Sequence, residues 1–163
     1  MKHLPKIEAG LGYMTPLCIV PCGKKKIWKN NPFAGPTPAI NVYIGNFAGT
    51  CICYAKTFYP DSFSILSAKY GFLMPGDLIE ADYNVTFKDR KTRPISNSDL
   101  IKTADLKGLL DYQHIIAVTG TDYLERIRSV FRDKTVYAPL AGCKSMGEMI
   151  RKLKKAIESG RPL

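Results

Sequence analysis

The sequence predicts a three-layer α/β fold, a mainly parallel sheet of about four to five strands flanked by helices. Three observations carry that expectation. Short apolar runs of strand length recur at residues 17–20, 63–66, 114–118 and 135–138. Longer segments between them place apolar residues at spacings of three and four, the period of a helix buried on one face. Turn-forming residues such as Pro21-Cys22-Gly23 and Thr119-Gly120 stand where a parallel strand must hand the chain to a crossover.

The elements follow in order. Residues 17–20 read as a buried strand stopped by Pro21-Cys22-Gly23. A loop rich in Pro, Gly and Asn fills residues 30–37, and Thr37-Pro38 has the form of an N-cap followed by a first-turn proline. A helix is therefore expected over residues 38–58, with Ile40, Tyr43, Ile44, Phe47, Cys51, Tyr54, Ala55 and Phe58 on one face. Gly45 and Gly49 weaken it by about 1 kcal/mol each against alanine. Strands at 63–66 and 114–118, helices at 97–110 and 122–131, the latter capped by Thr121 or Asp122, and a final strand at 135–138 complete the alternation. The last helix, from about Ser145, gathers Met146, Met149, Ile150, Leu153, Ala156 and Ile157 on one stripe. Arg151, Lys152, Lys154 and Lys155 fall outside that stripe.

A chain of 163 residues suits one domain with one core. Residues 1–15 read as an N-terminal extension, and residues 88–98 as a polar, mobile loop. No run approaches the roughly 18 to 20 apolar residues of a membrane span, and no secretory signal is visible near the start. Five cysteines are an odd number with no metal-knuckle spacing, so neither a disulfide framework nor a bound metal is expected, and a reducing cytoplasm fits best. No cofactor motif stands out. Lys and Arg total 24 against 14 Asp and Glu, and a formal charge of +10 favours polyanionic partners.

Two constellations stand at the ends of strands, where open α/β sheets place their ligands. Cys22-Gly23-Lys24-Lys25-Lys26 follows the first strand, and its backbone N–H groups and lysines suit an anionic group. The Gly-Lys-Ser/Thr ending of a nucleotide triphosphate loop is missing. Three neighbouring cations favour the Cys22 thiolate if the side chain is reachable. The second constellation spans Ser67, Lys69, Tyr70, Gly71 and Asp77, a hydroxyl, an amine, a phenol and a carboxylate on one loop.

Tyr43-Ile44-Gly45, the run from Ile65 to Leu73, then Pro75, Asp77, Ile79 and Tyr83, and finally Thr121-Asp122-Tyr123, together resemble the YaaA family of peroxide stress proteins and its shorter relatives. The likeness spans about residues 17–157, and its specific part is the loop from Ser67 to Tyr83. The chain is shorter than the full-length stress proteins. Its Pro-Cys-x-x-x-Lys segment is loosely similar to one in archaeosine synthase, whose core resembles uracil-DNA glycosylase.

The resemblance and the basic surface together imply a protein that acts on or recognises a base in DNA or RNA. On this reading Lys69, Asp77 and Asp122 are the catalytic candidates. Cys22, Gly23, Lys24, Tyr43, Gly45, Ser67, Tyr70, Gly71 and Tyr83 would bind substrate. Lys25, Lys26, Arg151, Lys152 and Lys155 would meet phosphates. The alternatives are a non-catalytic nucleic-acid-binding protein and an enzyme for a free nucleotide or modified base.

Overall fold

The computed structural model describes residues 15–163 and, before them, the backbone of two short antiparallel strands, β1 (Ile7–Glu8) and β2 (Tyr13–Met14). Most of the expected N-terminal extension lies outside the described residues. There follow β3 (Leu17–Pro21), α1 (Ile27–Asn30), β4 (Thr37–Pro38), α2 (Asn46–Phe58), β5 (Phe63–Ser67), β6 (Gly71–Leu73) and β7 (Leu78–Ile79). Then come α3 (Asn97–Leu106), β8 (His114–Ala117), α4 (Thr121–Val130), β9 (Thr135–Tyr137) and α5 (Met146–Ser159). The central sheet has five strands in the order β6-β5-β3-β8-β9, all parallel except β6.

Alternation along the strands builds the three layers. Leu17 and Ile19 of β3 and Ile115 and Ala117 of β8 face a core closed by Leu100 and Ala104 of α3 and Leu124 and Ile127 of α4. Cys18 and Val20 face the opposite core, with Cys51, Tyr54 and Ala55 of α2 and Leu153 and Ala156 of α5. A sheet covered on both faces needs apolar residues on both, which is why β3 and β5 are buried along their whole length. Each fully buried Leu, Ile or Phe contributes about 1.5–3 kcal/mol.

The expected helix from residue 38 starts later. Thr37 and Pro38 pair with Ile79 and Leu78 as β4 and β7, and a single 3-10 turn follows at Ala39–Asn41. Tyr43 bridges Lys26, and α2 begins at Asn46 after Gly45, which caps it without a side-chain hydrogen bond. Ile40 and Tyr43 kept helical spacing by packing inward from this non-helical path, because a tertiary partner for Thr37-Pro38 outweighed local periodicity.

Other boundaries shift less. Helix α3 ends at Leu106, and a left-handed Gly108 leads into a separate 3-10 turn at Leu109–Asp111. Gly120, rather than Thr121 or Asp122, occupies the N-cap of α4. Ser145 caps α5 as its sequence suggests, its hydroxyl accepting from the Glu148 N–H, but Met146 leaves the stripe and is exposed. The expected mobile loop contains a tight turn, in which the Asp89 carboxylate accepts from the Lys91 N–H. Among the described residues, no helix is long and apolar enough to cross a membrane.

Candidate functional site at the carboxyl ends of the strands

The chain leaves β3 for β5 on one side, and later reaches β8 on the other side of β3. Crossovers that diverge in this way open a crevice between the carboxyl ends of β3 and β8. Cys22, directly after β3, and Tyr123, in the first turn of α4 after β8, meet there with Sγ and Oη 3.0 Å apart.

Around this contact lies a network of hydroxyls. The Tyr43 and Tyr83 phenols hydrogen-bond each other, and the Tyr83 oxygen is 2.8 Å from Ser67 Oγ. Ser67 Oγ also accepts from the backbone N–H groups of Lys69 (3.2 Å) and Tyr70 (3.1 Å). With both lone pairs so used, the Ser67 proton points to Tyr83. Tyr70 stands edge-on to Tyr83 with ring centres 5.3 Å apart, and the exposed Lys69 carries its ammonium 5.0 Å from the Tyr70 ring centre.

Lys26 is the cation at the centre of this cluster. It is 3% exposed, donates to the carbonyls of Lys24 (3.1 Å) and Tyr83 (3.0 Å), and lies 4.2 Å from the Tyr83 ring centre. Burial lowers its pKa, and Cys22 and Asp82 oppose the shift. A phosphate cannot reach it, so its expected role in nucleic-acid binding is corrected: Lys26 ties the turn after β3 to the segment carrying Tyr83. Lys26→Met should cost on the order of 2 kcal/mol, because two carbonyls lose a charged donor. Urea unfolding measures it, and a loss under about 0.5 kcal/mol would remove that role.

The Cys22 expectation also changes. The thiol is 8% exposed, and burial raises its pKa despite the Tyr123 hydrogen bond and the Lys26 charge. Desolvation outweighs the neighbouring cations, so no thiolate is favoured near neutral pH. Burial likewise raises the phenols of Tyr43, Tyr83 and Tyr123.

The remaining candidates divide by position. Lys24 and Lys25 are exposed on the turn after β3. Gly23 packs against α2, where an added Cβ would lie 3.1 Å from that of Ala48, and Gly45 caps α2. Gly71, the first residue of β6 just after the turn from β5, has φ +77° and serves the fold. Asp77 leaves the site altogether: antiparallel β6 carries the chain back from the carboxyl end of β5. There its carboxylate accepts from the Met74 N–H (2.8 Å) and pairs with Lys107 (2.6 Å). A catalytic role for Asp77 is therefore not supported. Asp122 stays at the rim, in the first turn of α4, 3.8 Å from Lys88.

Arg151, Lys152 and Lys155 sit on α5, which packs against α2, and Lys152 donates to the Pro139 carbonyl at 2.7 Å. A groove of about 370 Å³ separates these helices, lined by Gly45, Asn46 and Lys154 among others. The sequence reading missed Tyr123 and Phe87 as parts of the crevice. Phe87 is buried edge-on to Tyr123 with ring centres 5.4 Å apart. The signal available was the Asp122-Tyr123 pair just past a strand end; its partner Cys22 is 101 residues away.

An uncharacterized protein of Bacillus subtilis (strain 168), YfjM, is 38% identical to this chain over 151 residues, which cover 92% of the chain and 100% of the relative. A family model described as a family of unknown function, DUF6884, matches residues 17–155, spanning β3 through most of α5 and hence every crevice residue described above. With that span and that relative, the chain belongs to the DUF6884 family.

Proposed function

We propose that the protein binds nucleic acid and holds a nucleobase against the tyrosines at the carboxyl ends of β3, β5 and β8. One observation carries this reading: Tyr70 stands against Tyr83 with the exposed Lys69 ammonium 5.3 Å from the Tyr83 ring centre, and Tyr123 meets Cys22, whose turn carries exposed Lys24 and Lys25. Rings supply stacking that any base can use, and ammonium groups at the rim supply phosphate contacts. The resemblance to YaaA-like and uracil-DNA-glycosylase-like proteins adds support, since both the Ser67–Tyr83 loop and the Pro-Cys-x-x-x-Lys turn border this crevice.

Binding to single- and double-stranded DNA and RNA carrying ordinary and modified bases tests the proposal. Tyr70 is half-buried at the rim, so Tyr70→Ala should weaken binding by about 1–3 kcal/mol, roughly 5- to 150-fold, without unfolding the chain. Unchanged affinity would exclude the tyrosines as a stacking surface. Mass spectrometry of the same mixtures looks for chemistry. Released or altered base that disappears in Asp122→Asn places a reaction in this crevice, whereas intact oligonucleotides make the protein a reader of bases.

A further inference from the structure

Lys88, Arg90, Lys91 and Arg93 fall within six residues and are all exposed. The turn that carries them is tied together from inside. The Thr86 N–H donates to Thr92 Oγ1 at 3.0 Å, Asp89 is turned onto the Lys91 N–H, and Arg93 ends the turn in the left-handed region with φ 57°. Asp89, the one carboxylate among these four cations, turns one oxygen onto the backbone, which leaves a net positive charge on the turn.

The turn is also fixed to the crevice. Buried Phe87 packs on the Tyr123 ring, the Arg126 guanidinium lies 4.6 Å from the Phe87 ring centre, and Lys88 reaches Asp122 at the start of α4. Tyr123 in turn meets Cys22, whose own turn carries Lys24 and Lys25. That second bank consists of exposed Lys24 and Lys25, while the neighbouring Lys26 is buried and pairs with Asp82 at 3.9 Å.

Two cationic banks therefore flank a floor of tyrosines. One phosphate can satisfy one bank, so a free nucleotide monophosphate leaves the other unused, whereas a chain of nucleotides places phosphates on both and a base between them. Bases in a duplex remain stacked on one another and withhold their faces from the floor. We propose that residues 86–93 form a phosphate-gripping turn which, with Lys24 and Lys25 opposite, holds an unpaired strand of nucleic acid across the crevice. This inference rests on the nucleobase reading above and names the partner of that site.

The experiment uses labelled single-stranded DNA and RNA of about 15 nucleotides, within the size range of single-strand sites, and a duplex of equal length. Affinity is measured against salt for the unaltered protein, the triple variant Arg90→Ala/Lys91→Ala/Arg93→Ala, and Arg151→Ala/Lys155→Ala on α5. All five side chains are exposed, and circular dichroism and melting establish that the variants are folded. The triple variant should flatten the log–log salt slope by about 2, at roughly 0.7 per lost single-strand phosphate contact. The α5 variant should keep the original slope.

If the unaltered protein binds no oligonucleotide, the proposed function fails and this inference with it. If it binds and the triple variant keeps its slope, the gripping turn is wrong while the nucleobase reading stands. Flattening in the α5 variant alone would move the phosphate path to α5 and overturn the inference. Tighter binding to duplex than to single strands would overturn the unpaired partner.

Discussion

Raising the pH from neutral to about 11 should unfold this protein cooperatively, because its folded state holds many acids in their neutral form. Burial raises the pKa of the Cys18, Cys22 and Cys51 thiols above their ordinary 9.0, and of the Tyr43, Tyr54 and Tyr59 phenols above their ordinary 10.0. Tyr54 is pushed up to about 12. Above the ordinary values the unfolded chain releases protons that the folded chain retains. Each group then removes on the order of 1.4 kcal/mol of stability per pH unit until its folded pKa is passed.

Lys26 acts in the opposite sense. Its folded pKa is lowered, so the unfolded state binds the extra proton below the ordinary 10.5, and stability rises with pH through that window. One lysine cannot offset three thiols and three phenols against a total stability of about 5–15 kcal/mol. Far-UV circular dichroism and phenolate absorbance, followed together, should change in one transition starting above about pH 9. Phenolate that appears gradually while the fold persists beyond pH 11 would show that these side chains reach solvent without unfolding.

Gly71→Ala should cost about 3 kcal/mol, the sum of two independent penalties. At φ +77° an L side chain is strained by about 1–2 kcal/mol. An added Cβ would also lie 2.5 Å from Thr103 Oγ1, 2.9 Å from its Cγ2 and 3.1 Å from Ile95 Cδ1, and such overpacking costs about 1–3 kcal/mol. Thr103 cannot easily yield, since its hydroxyl accepts from the Phe72 N–H and donates to the Leu100 carbonyl. The urea midpoint of the variant measures the loss. A change under about 1 kcal/mol would mean that α3 slides away from β6 at little cost. Because the same turn fixes Ser67 and Tyr70, weaker oligonucleotide binding should accompany the loss.

Gly71 also shows how a sequence motif can mix two duties. Its neighbours Ser67 and Tyr70 join the crevice, while Gly71 and Asp77 hold the hairpin and its return turn. Spacing along the chain could not separate them, because the separation is made by β6 reversing direction. Lys24, Lys25 and Lys26 give a parallel case: three identical side chains in a row, of which the fold buries the third under Tyr83 and leaves two in solvent. A run of charge contains no information about which member finds a carbonyl partner 57 residues away. The basic residues at 88–93 were visible as polar sequence, but their anchoring by Phe87 required Tyr123 to be in place.

What the sequence determined alone was the α/β class, strands β3, β5, β8 and β9, and helices α3, α4 and α5, because burial on both faces and helical periodicity are written in residues close along the chain. Only the tertiary structure decided where α2 starts, that β6 and β7 exist, and which side chains share the crevice. Those outcomes depend on pairings across tens of residues, Thr37 with Ile79 and Cys22 with Tyr123 among them, whose free energy appears only when distant segments meet.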